Sequence, residues 1–458
     1  MQITLKNVGA IQSAAVSLNG LAVIAGPNES GKTTVGKTLY TVIKALKEHR
    51  GISSQDKIRS IRQSFVEISS IVSKTGISPF DGLELFGSKN SINSREKTDL
   101  SEFLYKITMA RDTVPDELES VLQDEKLNKA MEIVDIYRDI LSNNLSENNK
   151  ELALRYIDGI VSLIKAEPTF AESFKAGLLK MYRDIFSGQI TNIYTNETSE
   201  VSINEGLKYK IPAGLGVFEM EDIDEQMAKQ AIFFTDATFI ESPLIIQYGI
   251  ASNYSPHYWK DLIKKLRNKP ESDKISSLLN NEIHKLFTNE IKGELDYNAN
   301  EKDFVITKPN AKPKLAVNNA ASGTKEFGIL QRMARLELFS GANLIILDEP
   351  ENHLHTAWQV KLAEIIIKLV KNGISILITS HSPDFIQTLR IEADKEKLDS
   401  DKARFYLSEK VDVNTEVIKY DIVDKTGKEA DILENLSKPM DDIYKYIMQN
   451  GPNSQAAI

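Results

Sequence analysis

Three runs rich in apolar and β-branched residues, 21–25, 344–347 and 374–379, do not follow a strict alternation; the first stops at a Gly-Pro loop and the other two at polar residues. Runs of this kind predict short strands covered on both faces, as in a parallel sheet. Directly after the first run, Val35, Leu39, Val42, Ile43 and Leu46 recur at helical spacing over 34–47. Between the second and third runs a helix is predicted over 356–372, closed by Gly373. That helix is the crossover that two parallel strands require. A further amphipathic helix carries Phe327, Leu330, Met333, Leu336 and Leu338 behind Ser322 and Gly323. The pattern predicts an α/β fold.

Residues 49–188 follow another rule. After Pro115, the positions Leu118, Val121, Leu122, Met131, Val134, Tyr137 and Leu141 recur at spacings of three and four through a highly charged stretch. A second helix is predicted over 151–165, with Leu152, Tyr156, Ile160, Val161 and Ile164, before Pro168. No heptad persists for enough turns to build a long coiled coil. The expectation is a compact helical insertion, an arm that contacts a partner or forms a dimer. Short strands return over 189–246, in VSINE, LKYKI and the run 231–240. A hairpin-like pair, ARFYLSE and TEVIKYDIV, and a short helix close the chain. The predicted organisation is therefore 1–48, then the insertion 49–188, then 189–458.

Composition narrows the chemistry. The 458 residues include no cysteine, which rules out a disulfide framework and any cysteine-based zinc or redox site. The net charge of −9 argues against a protein that coats nucleic acid by bulk attraction. A local groove stays open as an expectation. The densest basic run, 259–269, reads as the solvated face of a helix whose Leu262, Ile263 and Leu266 point inward. No apolar run approaches the ~18–20 residues that span a bilayer, and the amino terminus reads as a strand rather than a signal peptide. A cytoplasmic protein without membrane partners is expected.

The polar residues at the strand ends are the candidate chemistry. Gly26, Pro27, Asn28, Glu29, Ser30, Gly31, Lys32, Thr33 and Thr34 form a glycine-rich loop that opens a helix, the P-loop pattern. Its glycines let backbone N–H groups close round phosphate oxygens, Lys32 reaches the β- and γ-phosphates, and the Thr33 hydroxyl ligates Mg²⁺. Asp348 and Glu349 end the second strand. Carboxylates delivered at such a tip suit a Walker B arrangement, Asp348 holding Mg²⁺ and Glu349 orienting the attacking water. His381 follows the third strand, where ligands bind in open α/β sheets. Ser322 and Gly323 begin a helix whose N-terminus favours a phosphate.

In this order, P-loop, SG-helix, DEP and histidine, the chain resembles the ABC-type ATPase heads of the SMC-like and OLD-like group. The resemblance covers roughly the first fifty residues and the last half of the chain. It implies a mixed-sheet head interrupted by the helical insertion, with ATP and Mg²⁺ as cofactors. It also implies that His381 contacts the γ-phosphate and that Ser322 and Gly323 act as a shortened signature motif. The sequence departs from the pattern at ASGTK, where LSGGQ is usual, at His355 in place of a D-loop aspartate, and at Thr356 in place of proline. Gln247 is a candidate for the Q-loop.

The ENHLH segment at 351–355 and the short chain after His381, which leaves no room for a Toprim nuclease domain, resemble the stand-alone OLD-like ATPases of Septu, PARIS and some retron systems. By that resemblance the expected function is a nucleotide-controlled sensor and scaffold for a separate nuclease or toxin in anti-phage defence. It would act as a homodimer or larger homo-oligomer joined through its heads. Two alternatives stand beside it: a recombination ATPase of RecF or SMC type acting on DNA, and an ATP-bound platform that does not hydrolyse.

Overall fold

The computed structural model describes residues 1–73, 134, 138, 142, 147–192, 197–213, 218–220, 223–248, 255–272, 274–309, 314–411 and 418–450. In chain order the strands and helices begin with β1 (Gln2–Val8), β2 (Ile11–Ser17), β3 (Leu21–Ala25) and α1 (Lys32–Ser73). Next come α2 (Glu147–Lys165), α3 (Phe170–Phe186), β4 (Ser199–Ile203), β5 (Leu207–Ile211), β6 (Glu219–Met220) and α4 (Glu225–Ala231). They continue with β7 (Asp236–Ile240), α5 (Ile245–Tyr248), α6 (His257–Arg267), α7 (Leu278–Ile291), β8 (Glu294–Asn298), β9 (Asp303–Thr307) and β10 (Leu315–Ala316). The series ends with α8 (Ser322–Arg335), β11 (Asn343–Asp348), α9 (Thr356–Lys371), β12 (Ile376–Ser380), α10 (Pro383–Lys395), β13 (Ala403–Val411), β14 (Lys419–Asp424) and α11 (Glu429–Asn450).

The chain divides into two compact units, Met1–Lys47 with Leu178–Ile458, and Glu48–Gly177. The first is built on an eleven-stranded sheet of order β6-β5-β4-β1-β2-β14-β13-β3-β12-β11-β7. Strands β13, β3, β12, β11 and β7 run parallel, and every residue of β3 and β12 is buried. The continuous apolar runs have the physical cause expected of them, since helices cover both faces of a parallel sheet. From β2 outward to β6 successive strands are antiparallel. There the pattern alternates, as in β5, whose Leu207, Tyr209 and Ile211 are buried between exposed lysines. A three-stranded antiparallel sheet, β10-β9-β8, completes this unit.

Burying β7 also meant neutralising charge. Asp236 at its start meets Lys44 Nζ at 2.8 Å and Lys265 Nζ at 3.1 Å, and both lysines also reach Asp261. Burial works against ionising Asp236, but the Lys265 and Lys44 charges overcome it and hold the carboxyl well below the usual range. Lys265 thus leaves the solvated face that the basic run of α6 predicts, while Leu262, Ile263 and Leu266 point inward as expected.

The second unit is helical where described, except for the connection 166–169 between α2 and α3. Thr169 and Glu172 form a reciprocal capping box at the start of α3, each accepting from the other's backbone N–H. Phe170 stacks on Phe174 at 5.5 Å between ring centres and meets His49 edge-on. The helix predicted after Pro115 lies outside the described residues, apart from helical Val134 and Arg138.

Two local expectations change. The run 231–240 is a strand only from Asp236, because Asp224 caps α4 through the Met227 N–H and Ala231 belongs to that helix. The closing helix is not short: α11 runs through Pro439, with buried Ile432 holding its first turns to the core. Among the described residues no helix is long and apolar enough to cross a membrane.

Candidate functional site

The loop between β3 and α1 is fixed by its backbone. Gly31 has φ +85°, and a Cβ there would come within 2.5 Å of Ile11 Cγ1, so only glycine fits. Glu29 sits at φ 62°, the left-handed region in which a side chain is strained. Pro27, Asn28 and Glu29 are exposed, Gly31, Thr33 and Thr34 half-buried, and Gly26, Ser30 and Lys32 buried. Lys32, 4% exposed, donates from Nζ to the Pro27 carbonyl at 2.7 Å, arching back over the loop. Burial pulls its ammonium below the ordinary value, opposed by the Glu349, Asp348 and Glu351 charges. The Ser30 hydroxyl oxygen is buried without a hydrogen-bond partner.

Parallel pairing in register brings the tips of β3, β12 and β11 side by side: Ser380 faces Ala25, and Thr379 faces Asp348. The Thr33 hydroxyl donates to both Asp348 oxygens, at 2.8 and 3.0 Å, and Thr379 Oγ1 donates at 2.5 Å. Burial raises the Asp348 carboxyl, and these two hydroxyls oppose it. Glu349 turns at φ 51°, its N–H tied to the Thr379 carbonyl at 3.0 Å. Its carboxylate lies 3.8 Å from Lys32 Nζ and 3.2 Å from His381 Nδ1, and accepts from Asn352 Nδ2 at 2.8 Å. Five predicted residues, Lys32, Thr33, Asp348, Glu349 and His381, therefore meet in one cluster.

The residues suit a nucleotide and its Mg²⁺. A buried hydroxyl without a partner and a glycine turn closed to any Cβ suit phosphate oxygens. A hydroxyl beside one carboxylate suits Mg²⁺, which takes one or two protein oxygens with the rest from phosphates and water.

Ser322 and Gly323 start α8. Ala321, the capping residue, supplies no side-chain hydrogen bond. Gly323 packs under Trp358 and Leu354, with ring carbons 3.1 Å from where a Cβ would stand. Among the described residues neither Ser322 nor Gly323 bonds to the Lys32–Asp348–Glu349 cluster. Gln247 lies in α5, its N–H bonded to the Leu244 carbonyl.

The residue at the tip of β7 is Glu241, which sequence reasoning passed over. It receives the Tyr258 hydroxyl at 3.0 Å and Trp259 Nε1 at 2.9 Å, and Lys37 Nζ stands 3.2 Å away. Its charge contributes to raising Asp348. The signal was present: an acid directly after a buried strand, as at Asp348. Glu351 was read only as part of ENHLH, yet its Oε1 accepts from Ser380 Oγ at 2.5 Å and from the His381 N–H at 3.4 Å.

Residues 218–386 match a family described as an AAA domain, putative AbiEii toxin, type IV toxin–antitoxin system. The match is less than half of the chain; it holds Asp348, Glu349 and His381 and begins after the P-loop. No curated protein matches the chain. Among solved structures, an SMC head bound to the C-winged helix domain of ScpA is 11% identical, with 94% of this chain and 98% of that chain covered and a TM-score of 0.39. The SMC head domain of Thermotoga maritima is 10% identical, with 92% and 98% covered and a TM-score of 0.36. A Pyrococcus furiosus Smc head with an extended coiled coil, bound to the C-terminal domain of ScpA, is 13% identical, with 97% and 98% covered and a TM-score of 0.32. The chain is an α/β protein whose site stands at the ends of the parallel strands of an eleven-stranded mixed sheet.

Proposed function

We propose that the protein binds and hydrolyses ATP between two engaged heads, and that this cycle controls a separate nuclease or toxin subunit. The observation that carries the reading is the meeting of Lys32, Thr33, Asp348, Glu349 and His381 from three segments far apart in the chain. Such a cluster serves phosphoryl transfer, which needs mostly positioning and charge neutralisation. Lys32 binds the outer phosphates. Thr33 and Asp348 would hold Mg²⁺, which when bound neutralises phosphate charge. Glu349 orients water for in-line attack, and His381, 3.2 Å from it, faces the same phosphate. Among the described residues Ser322 and Gly323 make no bond to this cluster, and they start a helix without a side-chain cap, which supports a role toward the nucleotide of a second copy.

The effector role is supported by the chain's separate helical unit, a surface additional to the head. The test is affinity capture of tagged Glu349→Gln protein from its host with Mg-ATP, followed by mass spectrometry. A stoichiometric nuclease or toxin is the expected outcome. Recovery of DNA and repair proteins alone would replace this reading with that of a recombination ATPase, and a wild-type protein without multiple turnover would leave a binding platform.

A further inference from the structure

His381 directly follows β12, and its side chain is 40% exposed, with Nδ1 3.2 Å from the Glu349 carboxylate. An imidazole so open to solvent is not locked by packing, so its direction depends on the backbone from which it springs. That backbone is the turn 380–382, which must be fixed against the separate loop that carries Glu349. Strands β11 and β12 pair in register as far as Asp348 and Thr379, and the Glu349 N–H still reaches the Thr379 carbonyl at 3.0 Å. Beyond Thr379 the two segments no longer pair as strands.

Glu351 joins them there. It is 3% exposed, and its Oε1 accepts from Ser380 Oγ at 2.5 Å and from the His381 N–H at 3.4 Å. A second bond orients the fully buried Ser380: the Ser382 N–H donates to Ser380 Oγ at 3.1 Å, which leaves the hydroxyl proton for Glu351. Ser382 Oγ in turn accepts from the Phe385 N–H and caps α10. On the other side, Gln359 Nε2 of α9 donates to the Glu351 and Leu354 carbonyls at 3.2 and 3.1 Å. Both ends of the Glu351–Ser380 link are therefore anchored, one to α9 and the other to α10. An ion pair does not explain a carboxyl in this place. Among the described residues Glu351 makes no salt bridge, and its Oε2 is buried without a donor. Burying such a group costs stability, which marks it as a residue kept for the site rather than for the fold.

We propose that Glu351 is a positioning residue for His381: by accepting from Ser380 Oγ and the His381 N–H, it sets the turn after β12 so that the imidazole faces Glu349. The kinetic consequence rests on the ATPase reading of the site; the geometry does not. What the turn needs is an acceptor, so an amide oxygen can serve in place of the carboxylate and an alkyl group cannot.

The experiment uses the full chain and two readouts. With Mg-ATP, Glu351→Ala is expected to lower kcat about tenfold or more, the scale of a lost hydrogen bond to a charged acceptor, with KM little changed. Glu351→Gln, whose amide oxygen still accepts, is expected to stay within about threefold of wild type. In a His381→Ala background, Glu351→Ala is expected to cost nothing further, because its effect passes through that imidazole. The second readout needs no turnover: the imidazole resonance of His381 in ¹³C-histidine-labelled, nucleotide-free protein, assigned with His381→Asn. It is expected to move in Glu351→Ala and to hold in Glu351→Gln. If Glu351→Ala does not fold, Ser380→Ala replaces it, removing the donor in place of the acceptor, and is expected to move the same resonance. Equal effects of Ala and Gln at Glu351, an undiminished effect in the His381→Ala background, or an unmoved His381 resonance would each overturn the proposal. Absence of turnover in wild type, with the resonance shifts as expected, would support the link and defeat the ATPase reading alone.

Discussion

The Thr33 hydroxyl donates to both oxygens of Asp348 although 315 positions separate the two residues. The contact joins the first turn of α1 to the tip of β11, a short hydroxyl–carboxylate pair supplied by the P-loop pattern and the DEP segment together. Replacing either member should weaken Mg²⁺ more than it weakens the fold. Thr33→Val and Asp348→Asn are expected to raise the Mg²⁺ needed for half-maximal ATPase by about 10-fold or more. A Mg²⁺ titration of steady-state rate, beside a thermal melt, checks both statements.

Lys32 and Glu349 lie 3.8 Å apart but should fail differently. Lys32→Ala removes the charge proposed to bind phosphate and is expected to abolish measurable nucleotide binding. Glu349→Gln keeps the shape and loses the carboxylate proposed to orient water, so binding is expected to persist while turnover falls about 10²- to 10⁴-fold. Isothermal titration beside a phosphate-release assay separates the two. Turnover of Glu349→Gln at the native rate would remove the assigned role.

Glu241 is held by Tyr258, Trp259 and Lys37. Three donors on one carboxylate imply a fixed orientation toward the Asp348 side of the site. Glu241→Ala leaves Lys37 without that partner and is expected to reduce kcat by about tenfold or more, the scale of a lost charged hydrogen bond. Tyr258→Phe removes one of the three donors and should cost less. Their kcat ratio measured together is the check.

The raised Glu326 carboxyl makes stability depend on pH. Its pKa rises from an ordinary 4.5 to about 8 on folding, so the folded protein binds more protons between those values. Its contribution is complete below about 4.5 and is lost as pH rises through about 8. Glu326→Gln, permanently neutral, should therefore gain stability relative to wild type across that window, by up to about 1.4 kcal/mol per pH unit. Melting temperatures of the two proteins from pH 5 to 8 should diverge upward for the variant. Parallel curves would contradict the shift.

Gly31 combines φ +85° with a Cβ position 2.5 Å from Ile11 Cγ1. Gly31→Ala must both strain the turn and push Ile11 aside, and is expected to cost about 1–3 kcal/mol. Denaturant unfolding of the two proteins gives the number directly.

Strand and helix positions in the parallel core were legible because their signal is local. A continuous apolar run such as 344–347 can only be satisfied by burial on both faces, and the polar residue that ends it marks the carboxyl edge of the sheet. The P-loop, Asp348, Glu349 and His381 were readable for the same reason: each motif lies within a few residues of its strand. Residues whose meaning comes from neighbours distant in sequence were not readable. Glu241 carries the same local signal as Asp348, an acid directly after a buried strand, but that the two stand side by side follows only from the pairing of β7 with β11. Lys265 looks like one more exposed lysine of a basic run until Asp236 and Asp261 turn it inward. Glu326 and Glu351 look like ordinary helix and loop acids until folding buries them against one another's field. The sequence by itself determined which segments become buried strands and which residues stand at their ends, because periodicity and turn chemistry act over a few residues. Only the tertiary structure decided which of the charged groups are brought together and desolvated, because desolvation and charge pairing depend on strand order and packing between segments hundreds of residues apart.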